Sequence, residues 1–372
     1  MRLRSLLQQL LTPPRTMTKA SPRPQARRRT ARGSGTIDLA LQGGGSHGAF
    51  TWGVLDALLE DGRLTPDGLS GTSAGAMNVA VLASGWAQGG RDGARRALHD
   101  FWHAVGGSAG CWGGPQVPVG PLSAWAFNRD QWPGMALFNS WMQLWSPYQL
   151  NPLNLDPLRS LVQAHVDIAA IRQGPLKVFI TATSVRTGQP RVFERHDLSI
   201  ESLLASACLP QIAQTVEIDG EPYWDGGFSG NPALWPLIYG TPSDDVLLVQ
   251  INPRVREGIP RTAADIADRV NEITFNASLV AEMRAIAFVQ KLLKERRVDP
   301  THYKSLRMHR IADEAGLAPL DASSKLNTDP RLLQSLFELG RQAASTWLAH
   351  HAQDVGHRSS MDLTETYLSA KP

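Results

Sequence analysis

Cysteine is nearly missing from this chain: Cys111 and Cys208 are the only two in 372 residues. Two thiols cannot build the framework of bridges that staples small secreted domains, and such sparing use suits a reducing compartment. Also missing is any apolar run long enough to span a bilayer, which argues against an integral helical membrane protein. No internal repeat is visible. Acids are absent from residues 1–37, which hold nine basic residues: Arg2, Arg4, Arg15, Lys19, Arg23, Arg27, Arg28, Arg29 and Arg32. Taking those nine from the 37 Lys and Arg of the whole chain leaves 28 against 34 acids, a balance of −6. The formal charge of +3 therefore belongs to the tail. The body lacks the basic excess of a nucleic-acid binder, and no specific nucleic-acid partner is expected.

What is present reads as a globular protein. Hydrophobic residues make up 42% and charged residues 19%, and the length allows a full core in one large α/β domain with extensions or in two domains. Residues 1–35, rich in Pro, Arg and Ser, are expected to be a disordered basic tail. Ser5 to Leu11 is too short and too polar for a secretory apolar segment. The tail reads as a solvated leader or an upstream start preceding a true start at Met17, as an attractor of anionic lipid head groups worth about 1 kcal/mol per basic residue, or as a transit-type signal. The resulting expectation is a cytoplasmic protein with peripheral contact at the inner membrane face.

Along the body, Thr36 to Gln42 is a short apolar strand that ends in Gly43-Gly44-Gly45, and Ala49 to Glu60 is a helix with Phe50, Val54, Leu55, Leu58 and Leu59 on one face. With the strand before Ser73 they make a βαβ unit, hence a parallel pair with a right-handed crossover. Further buried strands are expected at 176–185 and 245–251, a hairpin at 214–218 and 221–224, and an edge strand at 306–311. Helices are expected at 92–104, 155–171, 199–207, 262–297 and 330–350. Residues 105–152 stand apart, rich in Gly and Pro; Trp112, Trp125, Trp132, Trp141 and Trp145 fall within them. That stretch reads as an insertion with a small core of its own or as a lid whose indoles face acyl chains.

Four short motifs carry chemistry. Gly71-Thr72-Ser73-Ala74-Gly75 joins an apolar stretch to an apolar helix. Small neighbours two residues either side of a serine are what a sharp strand-to-helix turn needs, and such a turn exposes the hydroxyl to a helix N-terminus. Gly43-Gly44-Gly45-Ser46-His47-Gly48 lies between the first strand and the first helix, where free N–H groups can hold an anion. Asp225-Gly226-Gly227 follows the hairpin, and Ala205-Ser206-Ala207-Cys208-Leu209-Pro210 is by itself only a helix end stopped by proline.

In this order the four motifs resemble the patatin-like phospholipases, lipid acyl hydrolases with a serine–aspartate dyad. The resemblance covers about residues 36–252. It implies a three-layer α/β fold in which helices sandwich a mostly parallel sheet, with a catalytic domain at 36–255; beyond the resemblance, residues 256–372 are expected to form a mainly helical C-terminal extension packed on it. It implies Ser73 as nucleophile and Asp225 as base. It further implies an oxyanion hole drawn from Gly43, Gly44, Gly45 and Ser46, the amides of the last three holding the oxyanion, with His47, Gly48, Gly71, Gly75, Gly226 and Gly227 in support. The implied partner is an acyl lipid, with no cofactor and no metal; the oligomeric state is left open. One departure is plain: His47 stands where the family pattern usually has arginine, which unsettles any preference for an anionic head group.

Other readings compete. Gly43, Gly45 and Gly48 match the spacing of a dinucleotide-binding loop, but the second strand ends in Thr72-Ser73 where an acid is needed to bind ribose. A Ser-His-Asp hydrolase would draw on His302, His309, His350, His351 or His357. His99 and His103 lie one helical turn apart without a third ligand at sensible spacing. A non-catalytic lipid-binding protein on the same fold is the rival from a different class.

Overall fold

Continuous apolar runs make strands that are covered on both faces, and β1 (Thr36–Leu41) is buried from Ile37 onward. The computed structural model describes residues 35–108, 145–256 and 258–369. The basic tail and most of the Trp-rich stretch, with Trp112, Trp125, Trp132, Trp141 and Cys111, lie outside the described residues. After β1 come α1 (Gly48–Asp61), β2 (Thr65–Thr72) and α2 (Ala74–Gly107). Next follow α3 (Pro157–His165), α4 (Ile168–Gln173), β3 (Lys177–Ser184), β4 (Pro190–Glu194) and α5 (Ile200–Ser206). The chain continues with β5 (Val216–Ile218), β6 (Glu221–Asp225), α6 (Trp235–Gly240), β7 (Asp245–Val249), α7 (Ala263–Lys294), β8 (Arg307–Ile311) and α8 (Pro330–His351).

The sheet runs β5-β6-β3-β2-β1-β7-β8, with β4 added to β3. Pairs β1–β2, β1–β7, β2–β3 and β7–β8 are parallel, whereas β4 and the β5–β6 hairpin join antiparallel. Side chains alternate across a strand, and β1 shows how the faces divide. Ile37, Leu39 and Leu41 enter one core with Phe50 of α1, Leu82 of α2 and Leu336 of α8. Ala40 enters the other, with Leu237 of α6 and Leu279 and Met283 of α7. The result is a central, mostly parallel sheet between helices.

Two differences from the sequence reading have local causes. The helix expected at 155–171 is two, because Asp167 caps a new start by accepting from Ala170 N at 2.9 Å. The stretch Ala74–Gly107 is two helices meeting at Gly89–Gly90, both of which leave helical φ/ψ, in keeping with the separate helices read on either side of residue 90. Strand β4 was not foreseen. It is short and opens on Pro190, a residue tolerated at the first position of an edge strand.

Candidate active site

Strand register brings the two candidate catalytic residues together. The last pair of β2 with β3 is Thr72 opposite Thr181. Strand β6 takes over the same edge of β3 one residue later, with Asp225 opposite Ala182. Two strands arriving from different parts of the chain thus end tip to tip, and the residues at those tips are Ser73 and Asp225. Strand β1 runs beside β2 up to Leu41 opposite Gly71, which delivers the glycine loop to the same corner.

Ser73 sits in a conformation few side chains adopt, φ 55° and ψ −123°, with its N–H donating to Ser206 Oγ at 2.9 Å. Ser206 Oγ in turn donates to Thr181 O at 2.6 Å, so the end of α5 pins the turn. Helix α2 begins at the next residue with no acid in its first turn, leaving its N-terminal field directed at Ser73. Gly71 and Gly75 let strand and helix close upon each other: a Cβ on Gly71 would stand 2.5 Å from Gly75 O, and one on Gly75 would collide with Leu41 O. Gly48 meets Ala74 and Trp102, and Trp102 Nε1 is held by Asn78, whose amide donates to Gly48 O at 3.0 Å.

Asp225 is wholly buried. Its Oδ1 accepts from Gly227 N at 2.7 Å, while Oδ2 has no hydrogen-bonding partner. Burial pushes the carboxyl up to about 7; the Gly227 amide, the nearby Ser73 hydroxyl and the charge of Lys325 offset part of that rise. Gly226 packs on Thr181 and Gly227 on the ring of Phe275, with no room for side chains. Cys208, whose carbonyl accepts from Asp225 N at 2.7 Å, is a buried thiol pushed up to about 12 by burial and stays neutral.

The glycine loop divides in two. Gly43 N donates to Asn231 Oδ1 at 2.6 Å, so this amide is committed to the fold. Gly44, Gly45 and Ser46 line the pocket that also holds Ser73 and Asp225. His47 is buried, with Nε2 2.7 Å from Ser324 Oγ, and burial drives it down to about 3, so it is a neutral packing group. Sequence reasoning missed Asn231, Asn252 and Lys325 as site residues, because each reaches the corner by tertiary folding from a segment without a motif; Ser206 lies in the Ala205–Pro210 motif but has no role there from sequence alone.

Among the described residues, the pocket has ≈ 290 Å³ of cavity and mostly apolar walls, including Met77, Phe101, Trp102, Leu161 and Phe275. Such a space suits an acyl chain rather than a nucleotide. None of the five candidate histidines lines it. His309 does bridge an acid and a serine, Asp245 Oδ1 at 3.1 Å and Ser360 Oγ at 3.0 Å, but this trio ties β7 and β8 to the C-terminal segment. His99 and His103 stack at 4.1 Å beside Trp52. No described helix is long and apolar enough to cross a membrane.

A family model described as patatin-like phospholipase matches residues 39–238. Among solved structures, VipD from Legionella pneumophila is similar at 14% identity, covering 84% of this chain and 67% of that one with a TM-score of 0.37. No curated protein matches the chain.

Proposed function

Because this chain belongs to the patatin-like phospholipase family, a family of lipid acyl hydrolases, we propose that it cleaves carboxylic esters of acyl lipids through a Ser73–Asp225 dyad. One observation carries the reading: a serine hydroxyl on a positive-φ elbow shares an apolar pocket with a buried carboxylate oxygen that has no other partner.

Ser73 Oγ attacks the ester carbonyl and passes its proton to Asp225 Oδ2. The tetrahedral oxyanion lies against the amides of Gly44, Gly45 and Ser46, and losing one such donor typically costs about 3–4 kcal/mol. Collapse expels the alcohol, which takes the proton from Asp225 and leaves an acyl group on Ser73. Asp225 then removes a proton from water, which attacks the acyl-enzyme; the acid is released and Ser73 is reprotonated. An ordinary carboxylate is a weak base for an alcohol. Burial lifts Asp225 to about 7 and so raises its basicity, while the N-terminus of α2 favours negative charge at Ser73.

The test is turnover of a short-chain p-nitrophenyl ester, together with product profiling from vesicles of mixed phospholipids and acylglycerols. Ser73→Ala and Asp225→Asn are each expected to lose about 10³-fold or more in kcat while keeping a native circular dichroism spectrum. Full turnover by either variant removes the dyad. Turnover of neither lipids nor esters by the unaltered chain leaves the lipid-binding reading standing instead.

A further inference from the structure

The scheme above leaves one cation in the pocket unused. Lys325 comes from the turn Ala322–Leu326, well beyond the end of the family match at residue 238. Its ammonium donates to Asn252 Oδ1 at 2.9 Å and Asn271 Oδ1 at 3.2 Å and lies 5.9 Å from the centre of the Phe275 ring. Asn252 relays the contact, its Nδ2 donating to Gly43 O at 2.6 Å. The Lys325 carbonyl also packs against Gly45, which has φ +59° and no space for a Cβ. Next to it, Ser324 holds His47. One short turn thus grips the glycine loop at three points, and only one of them uses a charge.

An enclosed ammonium is costly, and burial pushes Lys325 down to about 8. Neutral side chains could fill the space and hydrogen-bond Asn252, so the charge itself calls for a reason. Among the described residues lining the pocket, Lys325 and Asp225 are the only two that carry charge, and each favours the ionised form of the other. Glu272 and Asp268 from α7 also face Lys325 and support its charge, Arg256 opposes it, and Cys208 beside Asp225 is neutral.

We propose that Lys325 is a positioning residue for the dyad: its ammonium fixes the oxyanion loop through Asn252, and its positive charge steadies the negative charge of Asp225 across an apolar pocket. The inference rests on the dyad reading.

The experiment measures kcat and KM for a p-nitrophenyl ester against pH in the full chain and in Lys325→Met, Lys325→Arg and Ser324→Ala. Lys325→Met is expected to lower kcat about tenfold or more with KM little changed, and to move the acid limb to higher pH. Lys325→Arg, which keeps the charge, should recover most of the kcat and return the limb. Ser324→Ala loosens the same turn without touching the charge and should leave the limb in place. A Lys325→Met chain with the original kcat and limb overturns the proposal, as does an arginine variant no better than methionine or a limb displaced by Ser324→Ala. Should Lys325→Met not fold, the unaltered chain decides. Its kcat must fall as pH rises through about 8 and Lys325→Arg must abolish that fall; a flat profile overturns the proposal. Ser73→Ala is assayed alongside: if it stays active the dyad fails, and if it is inactive while Lys325→Met behaves as the original chain, only the role of Lys325 fails.

Discussion

The proposed base, Asp225, sits in a place that disfavours its charge. The fold holds it protonated up to about 7, whereas in the unfolded chain it ionises near 3.8. Folding therefore binds an extra proton between those values, and the sign follows: Asp225 contributes nothing unfavourable below about 4, and costs progressively more as pH rises to about 7 and levels off. Asp225→Asn keeps an oxygen for the Gly227 amide and removes the charge. We predict a melting point several degrees above that of the original chain at alkaline pH, up to about 4 kcal/mol, shrinking to near zero at pH about 4. Calorimetry at the two pH values checks it, and an equal gap at both would mean the charge is not the source. Activity should show the opposite trend, with kcat rising through pH about 7 as the base ionises. The candidate pair Ser73 and Asp225 is legible in the sequence because turn chemistry is local: glycine beside a serine or an aspartate leaves a written trace. Lys325, Asn231 and Asn252 leave none, since a lone polar residue in a loop looks the same whether or not it folds onto a site.

At the scale of elements, the site depends on how strand ends and helix ends are fastened. Ser206, the last residue of α5, joins Ser73 N to Thr181 O. Ser206→Ala leaves a buried donor and a buried acceptor without partners, at about 1–3 kcal/mol. We predict a melting point lowered accordingly and a several-fold loss of kcat with KM nearly unchanged; unchanged kcat would show that the elbow holds its shape unaided. Helices α1 and α8 cross so closely that a Cβ on Gly340 would collide with Phe50 O, and one on Gly53 with Phe337 O. Helix propensity alone makes Gly340→Ala stabilising by about 1 kcal/mol. The crossing predicts the reverse sign, a loss readable by urea unfolding. Most elements could be read from apolar period, as with α7 and α8, whose starts the structure caps with Thr262 and Asp329. The break at Asp167 was hidden because apolar spacing continues through it, and β4 because five residues opening on proline carry too little pattern.

At the scale of the molecule, the motifs lie before residue 228 but the structure does not stop there. Strand β8 extends the sheet in parallel beyond β7. From α8, Leu332, Leu333, Leu336, Ala344, Trp347 and Leu348 share one core with Phe50, Val54 and Leu55 of α1. The turn that carries Lys325 sits against the glycine loop. Burying a leucine contributes about 1.5–3 kcal/mol, so the four buried leucines of α8 alone match the 5–15 kcal/mol by which whole domains are stable. A chain ended at residue 255 would expose the α1 face, leave β7 as an open edge and lose the clamp on Gly43 to Gly48. We therefore predict that it does not fold on its own: no cooperative melt by circular dichroism, rapid proteolysis and no esterase turnover. A shortened chain that melts cooperatively would show that the residues after 255 are an accessory layer. One that folds but has lost kcat would place their contribution at the active site instead, in agreement with a turn that supplies the only cation among the described residues lining the pocket.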